Sequence, residues 1–406
     1  MNHKVICTLA VVLMTGIAPA QGPLTPPGAP APLMKTLEQV EPRTPVNAVN
    51  TPGDTNAVYV ISQPGSYYLT GDVLGVPDQH GIRIDADYVT LDLNGYTLDG
   101  VIGSLSGIHA VFPVDSVFVL RNGRVRFWGE HGVEVTGGAV TLEALQANGN
   151  TGHGFIANVT GALLRDCEAI DNGGMGFLVP VSVGVVADCK ARNNGEDGIR
   201  VDVGSLVVVG CEATGNAGGG IVSREGPDPN QPRVVRDSLA ANNTLEGVYM
   251  PRASLITRTV VVSNLAVGVR TRGNSRIKDV VAAYNHNQGG QYGIQVFKTN
   301  TSPNVATYIT GTSAHRNGNG IGMETMRNRV QDNHATENEF QGIDVKSGGD
   351  FSILFGNTLA GNGQIPVMYT TNTIAHTVTA PASAAVSGDT GGAGLGTTDP
   401  WVNILQ

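Results

Sequence analysis

The chain has 406 residues, and 55 of them are glycine. That is about 14%, twice the usual ~7%, while charged residues fall to 15% against a typical ~25%. Glycine does not recur at every third position, which excludes collagen. A hydrophobic content of 41% excludes a disordered chain, and the shortage of charged helix formers excludes a coiled coil. The formal net charge of -9 disfavours nucleic acid as a partner, because that binding needs a basic footprint.

In chain order, residues 1–20 have the form of a secretory signal peptide. Lys4 supplies the positive start, Val5 to Ile17 an apolar run of 13 residues, and Ala18-Pro19-Ala20 a small-residue cleavage site. The alternative is an uncleaved anchor. No later stretch has ~18 uninterrupted apolar residues, so no membrane insertion is expected after cleavage, and the protein is expected to be secreted or held in the cell envelope. Residues 21–56 form a Pro-rich linker and N-terminal extension, where Pro26-Pro27-Gly28 and Pro30-Ala31-Pro32 exclude helix and central strand. Residues 57–375 are repetitive. Residues 376–406 are a Thr/Ala/Gly-rich tail whose apolar end, Trp401 to Leu405, is expected to dock.

The repeat decides the fold class. A glycine followed by a large apolar residue recurs twelve times, from Gly81-Ile82 to Gly342-Ile343, at intervals of 21 to 27 residues. A second column contains Asp166-Cys167-Glu168-Ala169-Ile170-Asp171-Asn172 and Asp188-Cys189-Lys190-Ala191-Arg192-Asn193-Asn194. Its asparagine continues as Asn216, Asn243, Asn264, Asn285, Asn317, Asn338 and Asn362. Each unit holds about three short alternating strands between Gly and Asn turns. Such a unit cannot bury its own apolar face, but stacked units can. Twelve coils at roughly 4.8 Å spacing make a rod about 55 Å long. The expected fold is all-β, a single-stranded parallel β-solenoid of about twelve coils of ~22 residues. The repeat glycines are expected to supply positive φ at a corner, and the asparagines to tolerate the left-handed region and bond from coil to coil.

On these motifs the chain resembles right-handed parallel β-helix proteins of the pectin-lyase-like class. The stretch Ile61 to Leu69 is similar to the lead-in of secreted bacterial β-helix proteins. Right-handedness is what the resemblance implies; spacing alone establishes a solenoid.

Cys167, Cys189 and Cys211 stand one coil apart and read as an inward ladder of small apolar side chains, with metal or disulfide as the alternatives. Glu168, Lys190 and Glu212, like Asp237, Arg258 and Asp279, alternate in sign along exposed columns, as cross-coil pairing requires. Asp166 and Asp188 are like charges on adjacent coils, weak candidates for Ca²⁺ beside a plain turn role. No other cofactor is implied.

The strand after each repeat glycine points its third and fifth residues outward. This places Arg200, Asp202, Arg224, Tyr249, Arg270 and Arg272 on one face over four coils. Arginine forks match carboxylates and sulfates, and aromatic rings stack on sugars, so these six are the candidate substrate-binding residues, with an ordinary exposed sheet carrying Arg–Asp pairs as the alternative. The insertions 226–232 and 298–306 are expected to flank this face as groove walls.

Catalytic residues stay unassigned. Gly152-His153-Gly154 and Arg276-Ile277-Lys278 resemble polygalacturonase tripeptides, but the paired aspartates of that chemistry are missing, so both are taken as accidents of the repeat. The Asp-Pro-His of alginate epimerases is absent; Asp228-Pro229-Asn230 comes nearest. Two readings stay open: a secreted surface or carbohydrate-binding protein, and a polysaccharide lyase or epimerase acting on a uronic-acid polymer at the arginine-lined face. The expected partner is a polysaccharide or cell-envelope component, and the expected state is a monomer.

Overall fold

A computed structural model describes residues 43–181, 183–202, 204–224, 231–286, 291–298, 306–346 and 351–364. It also describes the short strands Val367–Met368, Thr373–Ile374, Thr377–Thr379 and Asn403–Leu405. The leader, most of the Pro-rich extension and most of the tail lie outside the described residues.

Every named strand pairing is parallel, between strands one coil apart in sequence or, in the tail, brought beside one another. The strands wind into a solenoid with three faces. The glycine face has 14 strands. Twelve follow the repeat glycines, and Ala57–Ile61 and Val367–Met368 add one at each end. The valine face is typified by Val183–Ala187 and Ser205–Val209, and the alanine face by Lys190–Arg192 and Glu212–Thr214. The ladder starts at Thr44–Val46, which pairs with Tyr67–Leu69, inside the stretch read from sequence as N-terminal extension. At the far end Asn403–Leu405 lies parallel to Thr358–Ala360, so the apolar end of the tail does meet the solenoid.

The apolar column explains the core. All twelve residues after the repeat glycines, Ile82 through Ile343, are at most 1% exposed. Each burial is worth roughly 1.5–3 kcal/mol. Phe155 and Phe177 stack ring on ring at 5.0 Å.

The repeat glycines do not have positive φ, contrary to expectation. Their role is close approach. A Cβ on Gly176 would lie 2.6 Å from the Gly198 carbonyl oxygen and 2.8 Å from Asn194 Nδ2. The left-handed residue at this corner is not the ladder asparagine either. It is the residue before it: Asp171 (φ 55°), Asn193 (φ 54°), Tyr284 (φ 56°) and Arg316 (φ 51°) among others. That one residue bends the chain and leaves the next side chain pointing inward.

The inward side chain is asparagine in ten successive coils, Asn150 to Asn362. In each coil the Nδ2 donates to the next asparagine's Oδ1, for example Asn172 to Asn194 at 3.0 Å and Asn194 to Asn216 at 2.9 Å. Each Oδ1 also accepts the backbone N–H of the preceding ladder residue, as Asn194 does from Asn172 at 3.2 Å. The ladder thus satisfies the buried polar groups of a corner that water cannot reach. Trp128 occupies the same position one coil earlier, fully buried, with its indole against Gly75, Gly81 and Gly107 and its Nε1 donating to Leu98 O at 3.2 Å.

The other corner has the same design. Asp166 (φ 54°), Asp188 (φ 53°) and Asp237 (φ 54°) make the bend, and Cys167, Cys189, Cys211 and Ser238 follow inward. The three cysteines are buried and free, so the ladder reading holds over a disulfide. The neighbouring Cys167 thiol, together with burial, holds the Cys189 thiol far above its ordinary range. Among the described residues no group of three or more His, Cys, Asp or Glu is placed to hold a metal ion. Asp166 and Asp188 take the turn role, the other of the two readings open to them.

Candidate functional site

The glycine face carries three outward columns rather than two. Residues two and four after each repeat glycine form two of them. The residue just before the glycine forms the third: His131, His153, Asp197, Glu246 and Tyr292. This column supplies the partners of the arginines.

Register puts Arg200, Val222, Tyr249, Arg270 and Gln295 side by side in one column, and Asp202 beside Arg224 in the other. Arg200 Nε donates to Asp202 Oδ2 at 2.9 Å, with Asp197 Oδ2 3.9 Å from its Nη1. Asp202 also accepts the Arg224 backbone N–H at 3.2 Å, while the Arg224 side chain is exposed. Burial raises the Asp197 carboxyl above the usual carboxylate range, although it accepts the Gly219 N–H at 2.7 Å.

Three coils beyond Arg224, Phe297 forms an apolar floor. Arg270 lies over its ring at 4.4 Å and Arg272 at 5.4 Å, and the Tyr249 ring sits 6.1 Å away at an angle of 29°. Arg270 Nη1 donates to Glu246 Oε1 at 2.8 Å. Burial pushes the Tyr249 hydroxyl up and the Arg272 guanidinium down. Arginine stacked on an aromatic face keeps its in-plane donors directed outward.

Beyond this platform the face becomes acidic. Tyr292 lies flat across Gly322, whose Cβ would sit 2.3 Å from the ring. Its hydroxyl reaches two coils to donate to the buried Asp344 carboxylate. Burial and that carboxylate hold the Tyr292 hydroxyl far above its ordinary range. Lys346 Nζ lies 5.1 Å over the ring and 3.6 Å from Glu324 Oε1. At the other end of the face are His80 stacked on His109 at 4.3 Å, and Glu134 Oε2 3.1 Å from His109 Nδ1.

Comparison with known proteins bears on the fold. Residues 80–235 match the family model described as right handed beta helix region. The fold is a right-handed parallel β-helix. It is similar to the A-module of mannuronan C-5 epimerase AlgE6 of Azotobacter vinelandii, at 19% identity and a TM-score of 0.56, covering 79% of this chain and 92% of that one. It is also similar to the AlgE4 A-module from the same organism, at 20% identity and a TM-score of 0.50, covering 77% and 91%. At these identities the likeness is one of fold. A search of curated proteins finds no match.

In this β-helix the six candidate residues form two groups. Arg200, Asp202 and Arg224 make one, and Tyr249, Arg270 and Arg272 the other. Most of the two expected groove-wall insertions, 225–230 and 299–305, lies outside the described residues. Sequence reading missed Glu246 and Phe297 as components of the site. The signal for Glu246 lies in the repeat: it stands one residue before its glycine, in the column that holds His131 and His153. Phe297 stood among the outward positions, but nothing local marks it as a floor for two arginines.

Proposed function

We propose that this is an exported β-helix protein that binds an anionic polysaccharide along its glycine face, at the platform of Arg224, Tyr249, Arg270, Arg272 and Phe297. The observation that carries this reading is the pair of arginines held over Phe297. Their stems and stacked faces are fixed by the ring, so little side-chain entropy is lost when an anion docks. Glu246 takes one donor of Arg270 and leaves the donors of its other terminal nitrogen for a carboxylate or sulfate. Tyr249 adds a ring surface one coil away, on which a sugar can pack.

A second reading draws on the two structural neighbours, whose names describe mannuronan C-5 epimerases. In it, the same arginines neutralise a uronate carboxylate while a nearby group moves a proton. The tyrosines here are raised, so at neutral pH they keep their protons. That leaves them as acids and not as resting bases, so this reading needs its base from another group on the face.

Titration of the protein with uronic-acid polymers tests both readings, followed by absorbance of the unsaturated product and by NMR for epimerisation. Binding without product, weakened about tenfold or more in Arg224→Ala/Arg270→Ala, is the expected result. Unchanged binding in that variant refutes the platform. Appearance of either product moves the assignment to the enzyme.

A further inference from the structure

The valine face carries a second cluster, away from the glycine-face platform. Arg276 pairs in register with Tyr308, and Tyr308 with Arg329, so the three side chains form one outward column on successive coils. Between them Ile277, Ile309 and Val330 point inward and are fully buried, which fixes the outward direction of their neighbours. Lys278, Thr310 and Gln331 form the adjacent outward column. Arg276, Tyr308, Thr310, Arg329 and Gln331 border a cleft of about 300 Å³. Tyr308 is 50% exposed, a large aromatic surface presented to solvent.

The charge arrangement of this cluster differs from that of several neighbouring columns. There arginines are neutralised across coils: Arg192 by Glu212, Arg258 by Asp237, Arg316 by Glu337. Among the described residues no carboxylate pairs with Arg276 or Arg329. Arg329 instead hydrogen-bonds Gln331 and lies 4.9 Å over the Phe355 ring, which holds it upright beside the tyrosine. Two coils separate the two guanidinium-bearing strands, about 9.6 Å. That gap is the width of the tyrosine ring and whatever stacks on it. Two unneutralised arginines on an acidic chain, framing an exposed ring, match a ligand that is itself part apolar ring face and part anion. A lone inorganic anion has no use for the ring, and a neutral sugar has no use for the arginines.

We infer that this cleft is a subsite for an acidic sugar residue. The sugar ring stacks on Tyr308, and its carboxylate or sulfate is taken by Arg276 or Arg329. Thr310 offers a hydrogen bond to a hydroxyl, Gln331 holds Arg329 in place, and Lys278, 3.6 Å from Asp279, stands at the edge. The site does not depend on the glycine face, and with two sites on one rod a long polymer gains affinity through effective concentration.

The test uses the full chain and isothermal titration with three oligomers of equal length: oligogalacturonate, a heparin-derived oligosaccharide and a neutral glucan. Either acidic oligomer should bind, and which one binds identifies the anion as carboxylate or sulfate. Tyr308→Ala and Arg276→Gln/Arg329→Gln should each weaken one binding component roughly tenfold, while Tyr308→Phe keeps it. Arg224→Ala/Arg270→Ala should leave this component intact, which separates the site from the glycine face. Circular dichroism confirms that the variants stay folded. No binding of either acidic oligomer overturns the inference. So does equal binding of the neutral glucan, or acidic binding unchanged by both the Tyr308 and the double arginine variants.

Discussion

Replacing Asn194 by alanine removes one rung from the middle of the asparagine ladder. The side chain is 1% exposed and makes four hydrogen bonds. Its Nδ2 donates to Asn216 Oδ1 at 2.9 Å and to Ala169 O at 3.1 Å. Its Oδ1 accepts from Asn172 Nδ2 at 3.0 Å and from the Asn172 backbone N–H at 3.2 Å. In the variant the Asn172 N–H loses its side-chain acceptor in a buried corner. At about 1 kcal/mol for each lost bond, with a further cost for the orphaned N–H, the loss is about 4–6 kcal/mol. The ladder's last rung provides the internal control. Asn362 has only one outgoing bond, to Ala335 O at 2.8 Å, and its corner is partly open, so Asn362→Ala should cost clearly less. Urea unfolding followed by Trp128 fluorescence measures both. Equal midpoints for the two variants, or a loss under about 1 kcal/mol for Asn194→Ala, would refute the claim that the ladder holds this corner.

Two further outcomes follow from the same architecture. Gly176→Ala places a methyl group 2.6 Å from the Gly198 carbonyl oxygen, a backbone atom that cannot move aside, so it should lower stability by about 1–3 kcal/mol. Gly71→Ala, with nothing within 4 Å of the new methyl, should be near neutral in the same urea assay. For pH, His80 and His153 both titrate below their ordinary value, chiefly because of burial. Their Nδ1 atoms accept backbone N–H groups from Ser106 at 3.1 Å and Met175 at 2.8 Å, bonds that protonation there would destroy. The folded pKa lies below the unfolded one, so this stability is complete above about pH 6.5 and is lost as pH falls below it. Glu134, lowered by its bond to His109, adds a loss of the same sign at more acid pH. Urea midpoints should be flat above about pH 7 and fall below pH 6.5. In His80→Asn/His153→Asn the fall between pH 6.5 and 5 should shrink; an unchanged slope counts against this account.

The solenoid was legible because its physics repeats. A ~22-residue unit that cannot bury its own apolar face must stack, so the twelve Gly-apolar pairs already contain the glycine face and its core. The inward cysteines and the coil-to-coil asparagine bonding were legible for the same reason. The roles of individual ladder residues were not. Positive φ falls on Asp171 and Asn193 and not on Gly176 or Asn194, because the bend must come one residue before the side chain that turns inward. The two ends were also hidden: Thr44–Val46 and Asn403–Leu405 carry no repeat signature, and only pairing with Tyr67–Leu69 and Thr358–Ala360 makes them strands.

The candidate site divides along the same line. Outward direction is a property of period-two alternation, so Arg200, Arg224, Tyr249 and Arg270 could be placed on one face from their distance to a glycine. Which charges cancel depends on residues brought together across coils. Glu246 and Arg270 are 24 residues apart, and so are neither local nor periodic partners. The same holds for Tyr292 and Asp344, 52 residues apart. Arg276, Tyr308 and Arg329 share a column, but that no described carboxylate pairs with either arginine is decided in space. The sequence by itself determined a stacked, glycine-cornered rod and the direction of each side chain. Only the tertiary structure decided which of its arginines are spent on neighbours and which remain for a ligand, because charge pairing acts over ångströms in space and not along the chain.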